Sequence, residues 1–251
     1  DVNTAGNTLF NDNVNVAQLT TDGPGTVQIN ATTVTTSGAQ TYNDALTLLK
    51  NTTLASTASG DISFNSTVDG AKTLTVNTAG NTTFNGMVGN TVALMSLTTD
   101  GAGAGVTNVN GGLVKTLSTQ TYNDAVVVGA NAIFRSVGDA LAAPAIPAGD
   151  ITFSKTLDGA FTVDVNTAGN TLFNDNVNVA QLTTDGPGTV QINAASVTTS
   201  GAQTYNDALT LLHNTTLAST VSGDISLNST IEGAKTLTVN TAGNTTFKGK
   251  V

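Results

Sequence analysis

Residues 75–86 read TVNTAGNTTFNG, and close copies stand at 2–11, 165–174 and 239–247. Asn3, Asn77, Asn166 and Asn240 hold the same place in the motif, and the steps between them are 74, 89 and 74. A chain that repeats itself at a fixed period builds units that cannot bury their apolar faces alone and must stack on their copies. The longer middle unit contains three insertions: four residues between Phe84 and Asp100, two between Asp100 and Tyr122, and nine between Tyr122 and Asp150. Above this period lies a super-repeat, the step of 163 that carries Asn3 onto Asn166. Over it, 164–251 match 1–88 with nine differences, among them Phe64 to Leu227, Val68 to Ile231 and Asp69 to Glu232. The chain therefore reads as one continuous body over 1–251, with units 3–76, 77–165 and 166–239 and a partial unit 240–251.

A shorter period lies below. Gly-x-x-x-apolar-Asn recurs at Gly6–Phe10–Asn11, Gly25–Ile29–Asn30, Gly38–Tyr42–Asn43, Gly60–Phe64–Asn65 and Gly80–Phe84–Asn85, in steps of 19, 13, 22 and 20. Local patterning is period two. Ile62 and Phe64 share a face in DISFN, Leu74 and Val76 in KTLTVN, and Val27 and Ile29 in TVQIN, with Thr73, Thr75 and Asn77 on the other side. Such short Val/Ile/Thr runs bounded by Gly, Asn and Asp are strands, and DGPG and SG supply turns. No amphipathic helix is evident; even NDALTLLKN (43–51) alternates through Leu46 and Leu48. The expected fold is all-β: a parallel β-helix (β-solenoid) of about 18–20 residues per coil and about four coils in the unit from Asn3 to Val76. The rival is a string of Ig-like sandwiches, whose strands are not copies of one another.

Composition supports a thin body. Charged residues are 10% of the chain and aromatics 4%, too few for a thick globular core. The net charge of −9 and a single arginine, Arg135, leave no basic patch for phosphates, so nucleic acid is not an expected partner. No stretch of about 18 apolar residues exists to insert into a membrane, and zero cysteines exclude disulfides and thiolate metal sites.

Stacked coils superpose like residues about 4.8 Å apart. The recurrent aromatics Phe10, Tyr42, Phe64, Phe84, Tyr122, Phe153, Phe173, Tyr205 and Phe247 are expected to stack in the interior. The asparagines at the turns, Asn11, Asn30, Asn43, Asn65, Asn85, Asn123, Asn174, Asn193, Asn206 and Asn228, are expected to form an amide ladder.

The phrases VTTSGAQTYNDALTL (34–48), SGDISFNSTVDGAKTLTVNTAGNTTFNG (59–86) and LSTQTYNDAVVVGAN (117–131) resemble the repeats of large bacterial surface proteins, the filamentous-haemagglutinin-like adhesins and related β-strand-repeat exoproteins. The resemblance covers the whole chain. It implies a right-handed parallel β-helix shaft, secretion by a two-partner or autotransporter route, a location outside the cell or on its surface, and a role in adhesion or matrix formation.

Candidate chemistry is sparse. His213 is the only histidine, and Lys50 replaces it in the first unit. Asp12, Asp44, Asp124, Asp175 and Asp207 follow the aromatic–Asn step, Asp22, Asp100 and Asp185 stand in TTDG, and Asp61, Asp150 and Asp224 follow Gly. Because they recur with the repeat, they read as Asx-turn residues, and no cofactor is expected. Ca2+ at these Asp/Asn turns is the one metal worth weighing, although the calcium-binding nonapeptide pattern is absent. Thr-x-Thr steps at 33–35, 73–75 and 236–238 raise ice binding, but they come irregularly. The least repeated stretch, GANAIFRSVGDALAAPAIPAG (129–149), contains the nine-residue insertion and is the candidate binding loop, with Phe134, Arg135 and Asp139 as its candidate contacts. The expected function is a non-enzymatic shaft segment of an extracellular fibre or giant surface adhesin. The alternative is a glycan- or host-surface-binding module using 129–149, and a polysaccharide-cleaving β-helix is the least favoured. Because the copies match, head-to-tail self-association or continuation of the array in a longer chain is expected.

Overall fold

The computed structural model describes residues 1–100 and 103–251. Among them are 34 strands and no helix, and every strand ladder is parallel. The chain winds through three sheets in turn, A, B and C, and then repeats, making a β-solenoid of about twelve coils. Sheet A holds twelve strands, from Val2–Asn3 to Leu237–Asn240. Sheet C holds eleven, from Val14–Val16 to Ile231–Glu232. Sheet B is four strands, from Asn7–Phe10 to Val68–Asp69, and seven more, from Leu113–Thr116 to Thr245–Phe247; Val88 joins the two sets by bridging Val68 to Val114. Coils vary in length. In sheet A, Val2 pairs with Thr21, a step of 19 along the chain, whereas Val126 pairs with Leu157, a step of 31.

The repeat and the coil are out of step. Val2 lies in sheet A, its equivalent Val76 in sheet C, Val165 in sheet B and Val239 in sheet A again. One unit covers eleven strand positions, counting Val88 as one, which makes three and two-thirds turns rather than four. The short step between Gly25 and Gly38 is the source of the difference. Ile29 ends a strand of sheet B and Tyr42 ends one of sheet A, so that step is two-thirds of a coil. Each successive copy is thereby turned by one sheet about the rod axis.

The interior follows this screw. Tyr42, Phe64 and Phe84 stack in sheet A with centroids 5.4 and 5.0 Å apart and rings within 9° of parallel. Tyr122, Phe153 and Phe173 do the same in sheet C at 5.3 and 5.5 Å, and Tyr205, Leu227 and Phe247 occupy sheet B. The expected interior stacking is thus divided among three staggered columns, the third with Leu227 between Tyr205 and Phe247. Phe10 is in none of them: it pairs with Ile29 in sheet B and is half-buried in the first coil. Phe247, in the last coil, is 47% exposed. A fully buried Phe contributes up to about 3 kcal/mol, and a stacked ring pair about 1 kcal/mol more.

A buried polar clamp recurs with each tyrosine. Gln40 Nε2 donates to Val34 O (3.1 Å) and Ala55 O (2.8 Å) of sheet C, while the Tyr42 hydroxyl donates to Gln40 Oε1 (2.8 Å). Gln120 donates likewise to Val114 O (3.1 Å) and Arg135 O (2.9 Å), and Gln203 to Val197 O (3.1 Å) and Ala218 O (2.8 Å). Each glutamine ties two coils of one sheet to the edge of the next, and leaves no buried amide atom unpaired. Burial pushes the three phenols far above the usual range, so they remain donors. At the corners the backbones of adjacent coils touch. A Cβ on Gly25 would fall on the Gly6 carbonyl oxygen, and one on Gly70, whose φ is +121°, would collide with the Leu48 carbonyl oxygen. This close approach explains why Gly punctuates every unit.

Candidate functional site

The turn asparagines form ladders, and these move around the rod as the stacks do. Asn65 donates to Asn43 (2.6 Å), Asn85 to Asn65 (2.7 Å) and Asn110 to Asn85 (2.8 Å) along the edge between sheets A and B. Gly129 ends this ladder, in the coil above Asn110. Between C and A, Ser154 donates to Asn123 (3.1 Å) and Asn193 to Asn174 (2.8 Å), while Asn174 reaches only Ser154 O, at 3.4 Å. Between B and C, Asn30 donates to Asn11 (2.7 Å) and Asn228 to Asn206 (2.8 Å). Asn110 carries the same Gly-x-x-x-apolar-Asn signature, at Gly105–Val109–Asn110, and extends the ladder beyond the asparagines named from the sequence.

Three of the aspartates, Asp61, Asp150 and Asp224, differ from the Asx-turn expectation. The Asp61 carboxylate accepts from the N–H of Asn81, one coil on, at 2.7 Å; Asp150 accepts from Asn170 (2.8 Å) and Asp224 from Asn244 (2.7 Å). They cap the neighbouring coil, not their own turn. Asp44, Asp124 and Asp207 are a separate class, buried with oxygens that find no partner. Burial raises the Asp124 carboxyl to about 6, a shift opposed by Lys155 and reinforced by Asp100. His213 is a corner residue whose Nδ1 lies 2.8 Å from Asn214 O.

The candidate loop divides in two. Phe134 is fully buried and packs edge-on against Tyr122 (5.4 Å) and Phe153 (5.1 Å). It belongs to the core, because 132–136 is a regular strand of sheet B in which alternation turns it inward. Arg135 is exposed on the outer side of that strand. Beyond it the chain leaves the rod as a small hairpin closed by an antiparallel bridge between Asp139 and Ile146, the Asp139 carboxylate accepting from Leu141 N–H at 2.9 Å. Leu141 at its tip is 96% exposed. An open groove of about 390 Å3 lies at its base between Val137, Ile146, Pro147 and Ala168. The root is pinched by Gly149 N–H donating to Ser136 Oγ (2.8 Å), as Gly60 donates to Ser56 and Gly223 to Ser219 at the same length. The insertion therefore grows out of a standard turn.

Two outer features complete the surface. An open groove of about 400 Å3 between sheets A and B is lined by Gly159, Ala160, Asn178, Thr198, Ser200 and Thr220. On sheet C, Thr33, Thr53, Thr75, Thr98, Thr121 and Thr152 stand in register on six consecutive coils. The sequence hid this rank because the coils between its members differ in length. The adjacent rank runs Thr35, Ala55, Asn77 and Asp100, so no Thr-x-Thr face forms. Among the described residues, no three His, Asp or Glu side chains gather into a metal-binding group, and no helix is long and apolar enough to cross a membrane. In comparisons with protein-family models, curated proteins and solved structures, the chain matches none.

Proposed function

We propose that the chain is a non-catalytic structural shaft, a segment of an extracellular or cell-surface fibre that supplies length and surface for adhesion or matrix formation. The observation that carries this reading is the eleven-strand unit, which turns each copy by one sheet. Three units complete eleven turns, so over a longer array every side of the rod receives the same residues in the same order. A shaft needs uniform sides and open-ended stacking, whereas an enzyme concentrates its chemistry in one cleft. Head-to-tail stacking of copies fits the same geometry, because a heterologous contact of this kind does not close. Negative-stain microscopy of the purified chain should show rods on the order of 55 Å long, or multiples of that length, given about 4.8 Å per coil. Compact particles would overturn the reading.

A second reading, recognition of glycans or host surfaces, rests on the hairpin at 139–146, which projects an exposed Leu141 from an otherwise smooth rod. It predicts that a glycan array binds the whole chain and not one lacking 139–147.

A further inference from the structure

The corner after each buried tyrosine repeats one arrangement. Asn43 N–H donates to Thr21 O at 3.1 Å, so Asp22 lies opposite Asn43, and Gly23 opposite Asp44, one coil below. Asn206 and Thr184 (3.1 Å) place Asp185 opposite Asn206, next to Asp207, in the same way, and Asn123 and Thr99 (2.9 Å) place Asp100 opposite Asn123, next to Asp124. Asp44, Asp207 and Asp124 are 7, 6 and 1% exposed. Oδ1 of Asp44 and of Asp207, and both carboxylate oxygens of Asp124, have no hydrogen-bond partner, and neither do the hydroxyls of the fully buried Thr21 and Thr184. At Asp207 the Thr184 hydroxyl and Gly188 N–H lie near enough to favour the charged form without closing a hydrogen bond, and Asp185 opposes them.

The coil above separates the three copies. Asn65 N–H donates to Tyr42 O, which puts Ser66 over Asp44, and Asn228 to Tyr205 O, which puts Ser229 over Asp207, both at 2.8 Å. Ser154 N–H donates to Tyr122 O, also at 2.8 Å, and puts Lys155 over Asp124, where its ammonium favours the carboxylate. A buried carboxylate without a counter-charge is costly, and the chain keeps one at every unit. At one of the three a lysine stands above, its charge acting on the carboxylate without a hydrogen bond to it. At the other two the space above is lined by a serine, and below stand a second, exposed carboxylate and an orphan hydroxyl.

We propose that Asp44 with Asp22 and Thr21, and Asp207 with Asp185 and Thr184, each bind a hard divalent cation such as Ca2+, and that Lys155 takes the cation's place at Asp124. All the offered ligands are oxygens, the donor set calcium prefers, and water completes the coordination. With only two carboxylates per site, affinity belongs at the weak end of protein calcium sites, about 10⁻⁴–10⁻³ M. The repeat screw sets one site on the edge between sheets A and B and the other between B and C, so a calcium-loaded rod is tied at successive edges.

The test is calcium titration of the chelator-treated chain, followed by thermal melting and calorimetry. The expected result is a rise in melting temperature of several degrees with saturation at two ions per chain. Asp44→Asn with Asp207→Asn should abolish the shift, and Lys155→Ser should raise the count to three. Should the double variant not fold, terbium added to the native chain, with tyrosine excitation, reads the same sites through Tyr42 and Tyr205. Sensitised emission that calcium displaces is expected, and its absence counts against the proposal. No calcium-dependent shift, or a shift that persists in the folded double variant, overturns it. An unchanged count in Lys155→Ser overturns the role given to the lysine.

Discussion

Residues 40–42 and 203–205 have one sequence, Gln-Thr-Tyr, yet lie in different sheets, the first in A and the second in B. Their surroundings are nearly superimposable. Both tyrosines are fully buried, and the glutamine amide of each donates at 3.1 and 2.8 Å to carbonyls of the sheet before it. The clamp does not depend on which sheet carries it. A residue's environment is decided by the coils directly above and below, and those are set by the repeat. Where the two copies differ, the cause is vertical: Asn65 has Asn85 above it, whereas its counterpart Asn228 has Lys248 and an unpaired Oδ1.

The strongest test of this equivalence is a charge in the core. Phe84→Asp in sheet A and Phe173→Asp in sheet C should each cost about 4 kcal/mol or more, since each buries an unpaired carboxylate, while Thr75→Asp on the outer side of sheet C should change stability by less than about 0.5 kcal/mol. Denaturant melts that rank the three alike would show the inward faces to be wrongly assigned. Next is the clamp. Gln40→Leu and Gln203→Leu strand the same tyrosine hydroxyl, and each should cost about 2–3 kcal/mol. A difference between them of more than about 1 kcal/mol breaks the equivalence of sheets A and B.

The ladder sharpens the comparison instead. Asn65→Ala, which removes a donor and an acceptor, should cost about 1–2 kcal/mol and Asn228→Ala measurably less, because Asn228 only donates. A smaller effect comes from pH. The Asp124 carboxyl is raised to about 6, above its unfolded value, so the folded chain holds that proton more tightly. Stability from this group is fully present below the unfolded pKa and is lost as pH rises through about 6. Asp124→Asn should flatten the fall in melting temperature across that window; an unaltered slope assigns the fall to other groups. The smallest effect is expected at the hairpin. Deleting 139–147 leaves Ser136, Val137, Gly138, Ala148 and Gly149 in place of the five-residue turn 56–60 of the first unit. The melting temperature should scarcely move, whereas unfolding would mean that the hairpin props up its coil.

The sequence by itself determined the all-β solenoid, the inward residues Leu74, Val76, Ile62 and Phe64, and the polar turns. These depend on period-two alternation and on turn chemistry, both of which are local. It could not determine which coil lies on which. The spacing from Phe10 to Ile29 is a whole coil and that from Ile29 to Tyr42 is two-thirds of one, yet both carry the same Gly-x-x-x-apolar-Asn signature. Only the tertiary structure separates them, because a corner accepts turns of many lengths and the strand count, not the residue count, sets the phase. From that phase come the three staggered stacks, the threonine rank of sheet C, and the lysine above Asp124 where its sister sites have serine. Each is a contact between residues about one coil apart along the chain, and the chain chooses that distance anew at every turn.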